Sequence, residues 1–170
     1  MRYYVFDLDN TLVFTDALNN EAYNFVLKKF GLSEIRNVER ITREVVFQKY
    51  PEVEKWKDEI IALKQNFFLN NLERTFPARE LLIKLKNSEK CRNILWTSAE
   101  ETRVIAILEY YKIAEKFRDI VFSKKADVEK DIKKICRIFE CSQEDLIFFD
   151  DNLRVIQKLK RLKLIYNPTL

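Results

Sequence analysis

The strongest constraint on the fold is an order that repeats along the chain. A short apolar run stops at a polar residue, and a helical stripe follows. Tyr3–Phe6 stops at Asp7, Asn93–Trp96 at Thr97, Ile120–Phe122 at Ser123 and Leu146–Phe149 at Asp150, with a weaker run at Leu164–Tyr166. These runs are short and rich in aromatic and β-branched residues, so they read as buried strands. Between them, Leu81, Leu82 and Leu85 share one helical face, as do Val104, Leu108 and Tyr111. Val128, Ile132, Ile135 and Phe139 form a further stripe. Ser98-Ala99-Glu100-Glu101 has capping-box spacing and predicts a helix start directly after the Asn93–Thr97 strand. Parallel strands need long crossovers, usually helical. The alternation therefore predicts an α/β fold, a parallel sheet with helices on both faces.

The order breaks between 16 and 74, where only helical periodicity remains. Ala22, Phe25, Val26 and Phe30 share a face before Gly31, Val45 and Val46 lie in a second segment that closes at Pro51, and Trp56, Ile60, Leu63 and Phe67 form a third stripe. The expected organisation is an α/β core of residues 1–15 and 75–170, interrupted by an all-helical insertion over 16–74.

Composition removes whole classes of chemistry. The chain has no His, which excludes Ser-His-Asp and Cys-His catalysis and leaves carboxylates, lysines, hydroxyls and a metal. Its three cysteines, Cys91, Cys136 and Cys141, form no C-x-x-C pair. A zinc site or a disulfide framework is not expected, and reduced thiols of a cytoplasmic protein are. No apolar run is long enough for a membrane span, and Tyr3–Phe6 follows the first residues too closely for a secretory signal. The net charge of +4 arises from 31 basic and 27 acidic residues spread along the helices. That pattern is a solvated surface, so neither nucleic acid nor membrane is an expected partner. A monomer or small homo-oligomer is expected.

Ligands of open parallel sheets bind at the carboxyl ends of the strands. In this chain those ends carry Asp7-Leu8-Asp9-Asn10-Thr11-Leu12, Thr97-Ser98, Ser123-Lys124-Lys125 and Asp150-Asp151-Asn152. Each piece alone has a bland explanation. A D-x-D-x-T string is as often a turn as a site, Ser98 and Asp151 suit helix caps, and Lys124 and Lys125 suit a solvated pair. Together they bring four carboxylates to one edge, where like charges demand a compensating cation. Oxygen donors of this type suit Mg2+.

These motifs, with Ile94-Leu95-Trp96-Thr97 and Leu146-Ile147-Phe148-Phe149-Asp150-Asp151, resemble those of the haloacid dehalogenase superfamily over essentially the whole chain. Phe76-Pro77-Ala78-Arg79-Glu80-Leu81-Leu82 resembles the segment that follows the cap in its capped members, of the phosphoglycolate phosphatase-like kind. The resemblance implies a Rossmann-like core with 16–74 as a helical cap, and a Mg2+-dependent hydrolase of small phosphorylated metabolites. It implies Asp7 as nucleophile and Asp9 as acid and base, with Thr97 and Lys125 on the phosphoryl group. Thr11, Ser98 and Lys124 would contact substrate. Asp7, Asp9 through its backbone carbonyl, Asp150 and Asp151 would hold the metal. Lys125 fits the lysine role best because the Val128–Ile135 stripe follows it, with Lys124 and Lys130 as alternatives. Phe149 stands where many relatives carry Gly. Arg154 stands where many carry a second acid, a role that then falls to Asp151. A phosphomutase or phosphotransferase with the same groups, or a non-catalytic phosphate-binding module, are the competing readings.

Overall fold

The structure is a computed structural model and describes residues 1–168. The chain divides into two compact units, one of Met1–Val13 with the residues from Pro77 onward, the other Phe14–Phe76.

The first unit is built on a five-stranded parallel sheet of β1 (Tyr3–Phe6), β4 (Asn93–Thr97), β5 (Asp119–Phe122), β6 (Leu146–Asp150) and β7 (Ile165–Pro168), in the order β5-β4-β1-β6-β7. The intervening numbers belong to two-residue strands, β2 (Val13–Phe14) and β3 (Phe76–Pro77), which pair with each other. Helices α4 (Arg79–Asn87), α5 (Glu101–Tyr110), α6 (Val128–Phe139) and α7 (Leu153–Arg161) make the crossovers. Strand pleating sends alternate residues to opposite faces. Val5, Ile94, Trp96, Val121 and Phe148 pack with Val128, Ile132, Ile135 and Phe139 of α6 and Val155 and Leu159 of α7. Phe6 and Phe149 stack at 4.8 Å on the other side, where the ammonium of Lys84 on α4 lies over the Phe149 ring at 5.6 Å. Right-handed crossovers account for this division, because the chain runs outward from β1 to β5 on one face and returns to β7 on the other.

The α/β expectation holds, with shifts at the ends. The first strand keeps its expected span, whereas β4 extends to Thr97, β5 starts at Asp119, β6 reaches Asp150 and β7 starts at Ile165. The helix after β4 starts later than its capping-box reading. Its N-cap is Glu100, whose carboxylate accepts the Thr102 and Arg103 N–H groups, and Ser98 stays exposed in the turn before it.

The second unit contains α1 (Asp16–Lys29), α2 (Arg43–Lys49) and α3 (Lys57–Leu69). Tyr23, Val26, Leu27, Ile35, Ile41, Val46, Val53 and Ile60 form its core. Three asparagines of α1 fasten the segment that follows it. Asn19 Nδ2 donates to the Ile41 carbonyl at 2.9 Å, and Asn20 Oδ1 accepts the Ile41 N–H at 2.7 Å. Asn24 Oδ1 accepts the Ile35 N–H at 2.8 Å. The buried faces differ from the expected stripes. Phe25 is exposed and packs at a tilt against Phe67, and α3 buries Ile60, Lys64 and Phe68 while Trp56 is exposed. Lys64 belongs to the buried face because its ammonium lies 5.2 Å from the Tyr23 ring centroid and 5.4 Å from that of Phe68.

Candidate active site

The carboxyl ends of β1, β6 and β5 meet at one buried ion cluster. Asp7, immediately after β1, is tied to the neighbouring strand by its N–H, which donates to the Phe149 carbonyl at 2.8 Å. Asp150 ends β6 and is 2% exposed. Between them, Lys125 Nζ lies 2.6 Å from Asp7 Oδ1 and 2.5 Å from Asp150 Oδ2. The other oxygen of Asp150 accepts the Asn152 N–H at 2.8 Å, and Asn152 caps α7. One strand end thus orients both its carboxylate and the helix that follows.

The loop after Asp7 is wound tightly. The Leu8 carbonyl accepts from the N–H groups of Thr11, Leu12 and Val13, and Asn10, with φ at 57°, donates to the Val13 carbonyl at 2.7 Å. Asn tolerates this left-handed backbone better than most residues. Leu8 and Leu12 are fully buried and anchor the loop. The turn presents Asp9, whose Oδ1 meets Arg103 Nη2 at 2.5 Å. Thr11 is fully buried, and its hydroxyl has no hydrogen-bond partner among the described residues. Thr97 is buried at the end of β4, where its Oγ1 accepts the Ala99 N–H at 3.1 Å.

Of the three lysines considered for the site, Lys125 is the one that meets the carboxylates. Lys124 and Lys130 are exposed. Asp9 lies two residues on in the chain and raises the Asp7 pKa through its charge. Nothing in the sequence marks Arg103, which sits beside the Val104–Leu108 stripe, where an arginine ordinarily belongs to a solvated face.

Burial dominates the electrostatics. It pushes the Asp7 pKa up from 3.8 to about 7, against the pull of Lys125 and with the help of the Asp150 and Asp9 charges. Burial works against the charged form of Lys125, but the Asp7 and Asp150 carboxylates outweigh it and raise its pKa. One ammonium between two carboxylates leaves a net negative ring. Asp7, Asp150 and Asp151 also offer oxygens that all lie within 4.8 Å of one another. An all-oxygen donor set with excess negative charge fits a hard divalent cation.

The family model described as haloacid dehalogenase-like hydrolase matches residues 4–164. The chain belongs to that family. As a haloacid dehalogenase-like hydrolase it shares its fold with solved structures of low sequence identity. One is a haloacid dehalogenase-superfamily hydrolase, subfamily IA, variant 1, from Geobacter sulfurreducens. It is 12% identical, covers 98% of this chain and 85% of its own, and has a TM-score of 0.75. A protein assigned as a phosphoglycolate phosphatase from Lactobacillus plantarum is 11% identical, with coverage of 98% and 86% and a TM-score of 0.71. One assigned as a β-phosphoglucomutase from Thermotoga maritima is 18% identical, with coverage of 96% and 82% and a TM-score of 0.71. No curated protein sequence matches this hydrolase. Among its described residues, no helix is long and apolar enough to cross a membrane.

Proposed function

We propose that the chain is a cytoplasmic, Mg2+-dependent phosphatase that hydrolyses small phosphomonoesters through an aspartyl phosphate on Asp7. One observation carries this reading. A buried carboxylate at the end of β1 is held by an ammonium that also engages Asp150, and a second carboxylate follows two residues on. The assignments of two similar structures, phosphoglycolate phosphatase and β-phosphoglucomutase, agree with phosphate chemistry. In this reading the helical unit Phe14–Phe76 takes the part of the cap.

The carboxylate oxygen of Asp7 attacks phosphorus as the bond to the leaving oxygen breaks, and Asp9 gives that oxygen its proton. Asp9 then takes a proton from the water that attacks the phosphoryl group, and the bond from phosphorus to Asp7 breaks. Lys125 neutralises charge gathering on the phosphoryl oxygens. Thr97 accepts a hydrogen bond from the Ala99 N–H, which leaves its hydroxyl proton to donate to one of them. Mg2+ held by Asp7, Asp150 and the Asp9 backbone carbonyl, with Asp151 beside them, would supply charge neutralisation to nucleophile and phosphate.

The test is phosphate release from p-nitrophenyl phosphate, with Mg2+ or with EDTA, by wild type and Asp7→Asn. Release that needs Mg2+ and falls by orders of magnitude in Asp7→Asn is the expected result. An Asp7→Asn protein as active as wild type would sink the reading.

A further inference from the structure

Lys125 occupies a costly backbone conformation, with φ at 55°. A side chain other than glycine stays there only where its surroundings hold it. Those surroundings form a closed circuit. The Lys125 N–H donates to Ser123 Oγ at 3.0 Å, and the Ser123 hydroxyl donates to Asp131 Oδ2 at 2.5 Å. The same oxygen accepts from Trp96 Nε1 at 3.1 Å. The Trp96 ring lies under the Lys125 ammonium, 4.6 Å from ring centroid to Nζ. Ser123 is itself fixed to β4, because its N–H donates to the Thr97 carbonyl at 3.0 Å.

A buried indole needs an acceptor, and Asp131 would satisfy that need as a purely structural group. The convergence goes further than that need. Both donors to Asp131 Oδ2 also touch Lys125, one at its backbone and one at its ammonium. Asp131 reaches them from the first turn of α6, so the helix after the lysine is locked to the strand before it.

We propose that Ser123, Asp131 and Trp96 are positioning residues that fix the Lys125 ammonium for the reaction. The proposal rests on the phosphatase reading for what Lys125 does, though not for how Lys125 is held. If these residues act through Lys125, their loss costs nothing once Lys125 is gone, whereas a general structural role costs the same in either background.

Two cycles test this with Ser123→Ala and Lys125→Ala, singly and combined. In the kinetic cycle with p-nitrophenyl phosphate, Ser123→Ala lowers kcat on the order of 10-fold. KM changes little, and the substitution has no further effect in Lys125→Ala. Asp131→Ala behaves like Ser123→Ala, and Asp131→Asn, which keeps an acceptor oxygen, recovers activity. The second cycle needs no substrate. With Trp56→Phe removing the other tryptophan, Trp96 emission reports the overlying ammonium. Lys125→Ala shifts that emission, Ser123→Ala shifts it the same way, and Ser123→Ala adds nothing in Lys125→Ala. Additive effects in either cycle, or a Ser123→Ala protein identical to wild type in emission and kcat, would overturn the proposal. Coupled emission in a wild type that releases no phosphate supports the positioning role and counts against the phosphatase reading alone.

Discussion

At the scale of single residues, the site carries a cost in the absence of a cation, and that cost has a sign. The unfolded chain ionises Asp7 near 3.8, while the buried carboxyl holds its proton to about 7. Between those values the folded protein binds more protons than the unfolded one, so stability falls as pH rises through the window. Above pH 7 the full penalty is present, on the order of 4 kcal/mol for a shift of this size. In EDTA at pH 8, Asp7→Asn is therefore expected to melt at a higher temperature than wild type, and the gap should close towards pH 5. If the acidic group of Asp7, Asp150 and Asp151 holds Mg2+ as proposed, the cation should raise the wild-type melting temperature more than that of the variant, because a ligand of the ionised, folded site stabilises it by mass action. A variant that melts no higher than wild type at pH 8 without metal would refute this account. The sequence made Asp7, Asp150 and Lys125 legible, because strand ends of one parallel sheet converge whatever the details of packing. Arg103, Asp131 and the role of Trp96 were not legible. Two are charges within helices and the third is an apolar core residue, and only the folded structure brings them to Asp9 and Lys125.

At the scale of elements, helix ends show how a chain with one Gly manages left-handed turns. Helix α1 is followed by Gly31 at φ 72°, and the Leu32 N–H then reaches back to the Leu27 carbonyl at 2.9 Å. The same closure recurs after α5, α6 and α7, with Lys112, Glu140 and Lys163 at φ between 54° and 57°. There Ile113 bonds to Leu108, Cys141 to Cys136 and Leu164 to Leu159. Side chains pay about 1–2 kcal/mol in that conformation, against roughly 0.5–1 kcal/mol of extra chain entropy for glycine. Lys112→Gly, Glu140→Gly and Lys163→Gly combined are expected to add about 2 kcal/mol and raise the melting temperature by roughly 4–8 °C. A triple variant that melts at or below the wild-type temperature would show that these turns are unstrained. These ends were hard to read without glycine as a marker. A serine at cap spacing predicts an earlier start for α5, but Glu100 two residues later takes the cap because its carboxylate accepts two backbone N–H groups. Polarity alone leaves Lys64 out of the stripe of Trp56, Ile60, Leu63 and Phe67, although its ammonium lies near the rings of Tyr23 and Phe68.

At the scale of the whole molecule, strand–helix alternation predicted the parallel sheet, and its interruption predicted an insertion. The strands β2 and β3 escaped because two residues show no periodicity. Their surroundings nevertheless decide how the α/β unit would behave alone. The Ala78 N–H donates to the Leu12 carbonyl at 2.9 Å, so the chain leaves and re-enters this unit at adjacent points. A short bridge could close that gap at little entropic cost, since loop closure depends only weakly on length. The cluster of Val5, Trp96, Phe148, Ile132, Ile135 and Leu159 lies wholly within the unit. So do the pairs between Lys125 and Asp7, Lys125 and Asp150, and Arg103 and Asp9. Replacing Phe14–Phe76 by a few Gly and Ser residues is therefore expected to leave a chain that folds cooperatively and still gains stability from Mg2+. Chemical denaturation of that chain should give one transition, with a slope reduced in proportion to the surface removed. A broad, non-cooperative transition would mean that the α/β unit depends on the helical one for its own core. A sharp transition without any response to Mg2+ would place part of the cation's ligand set outside residues 1–13 and 77–168.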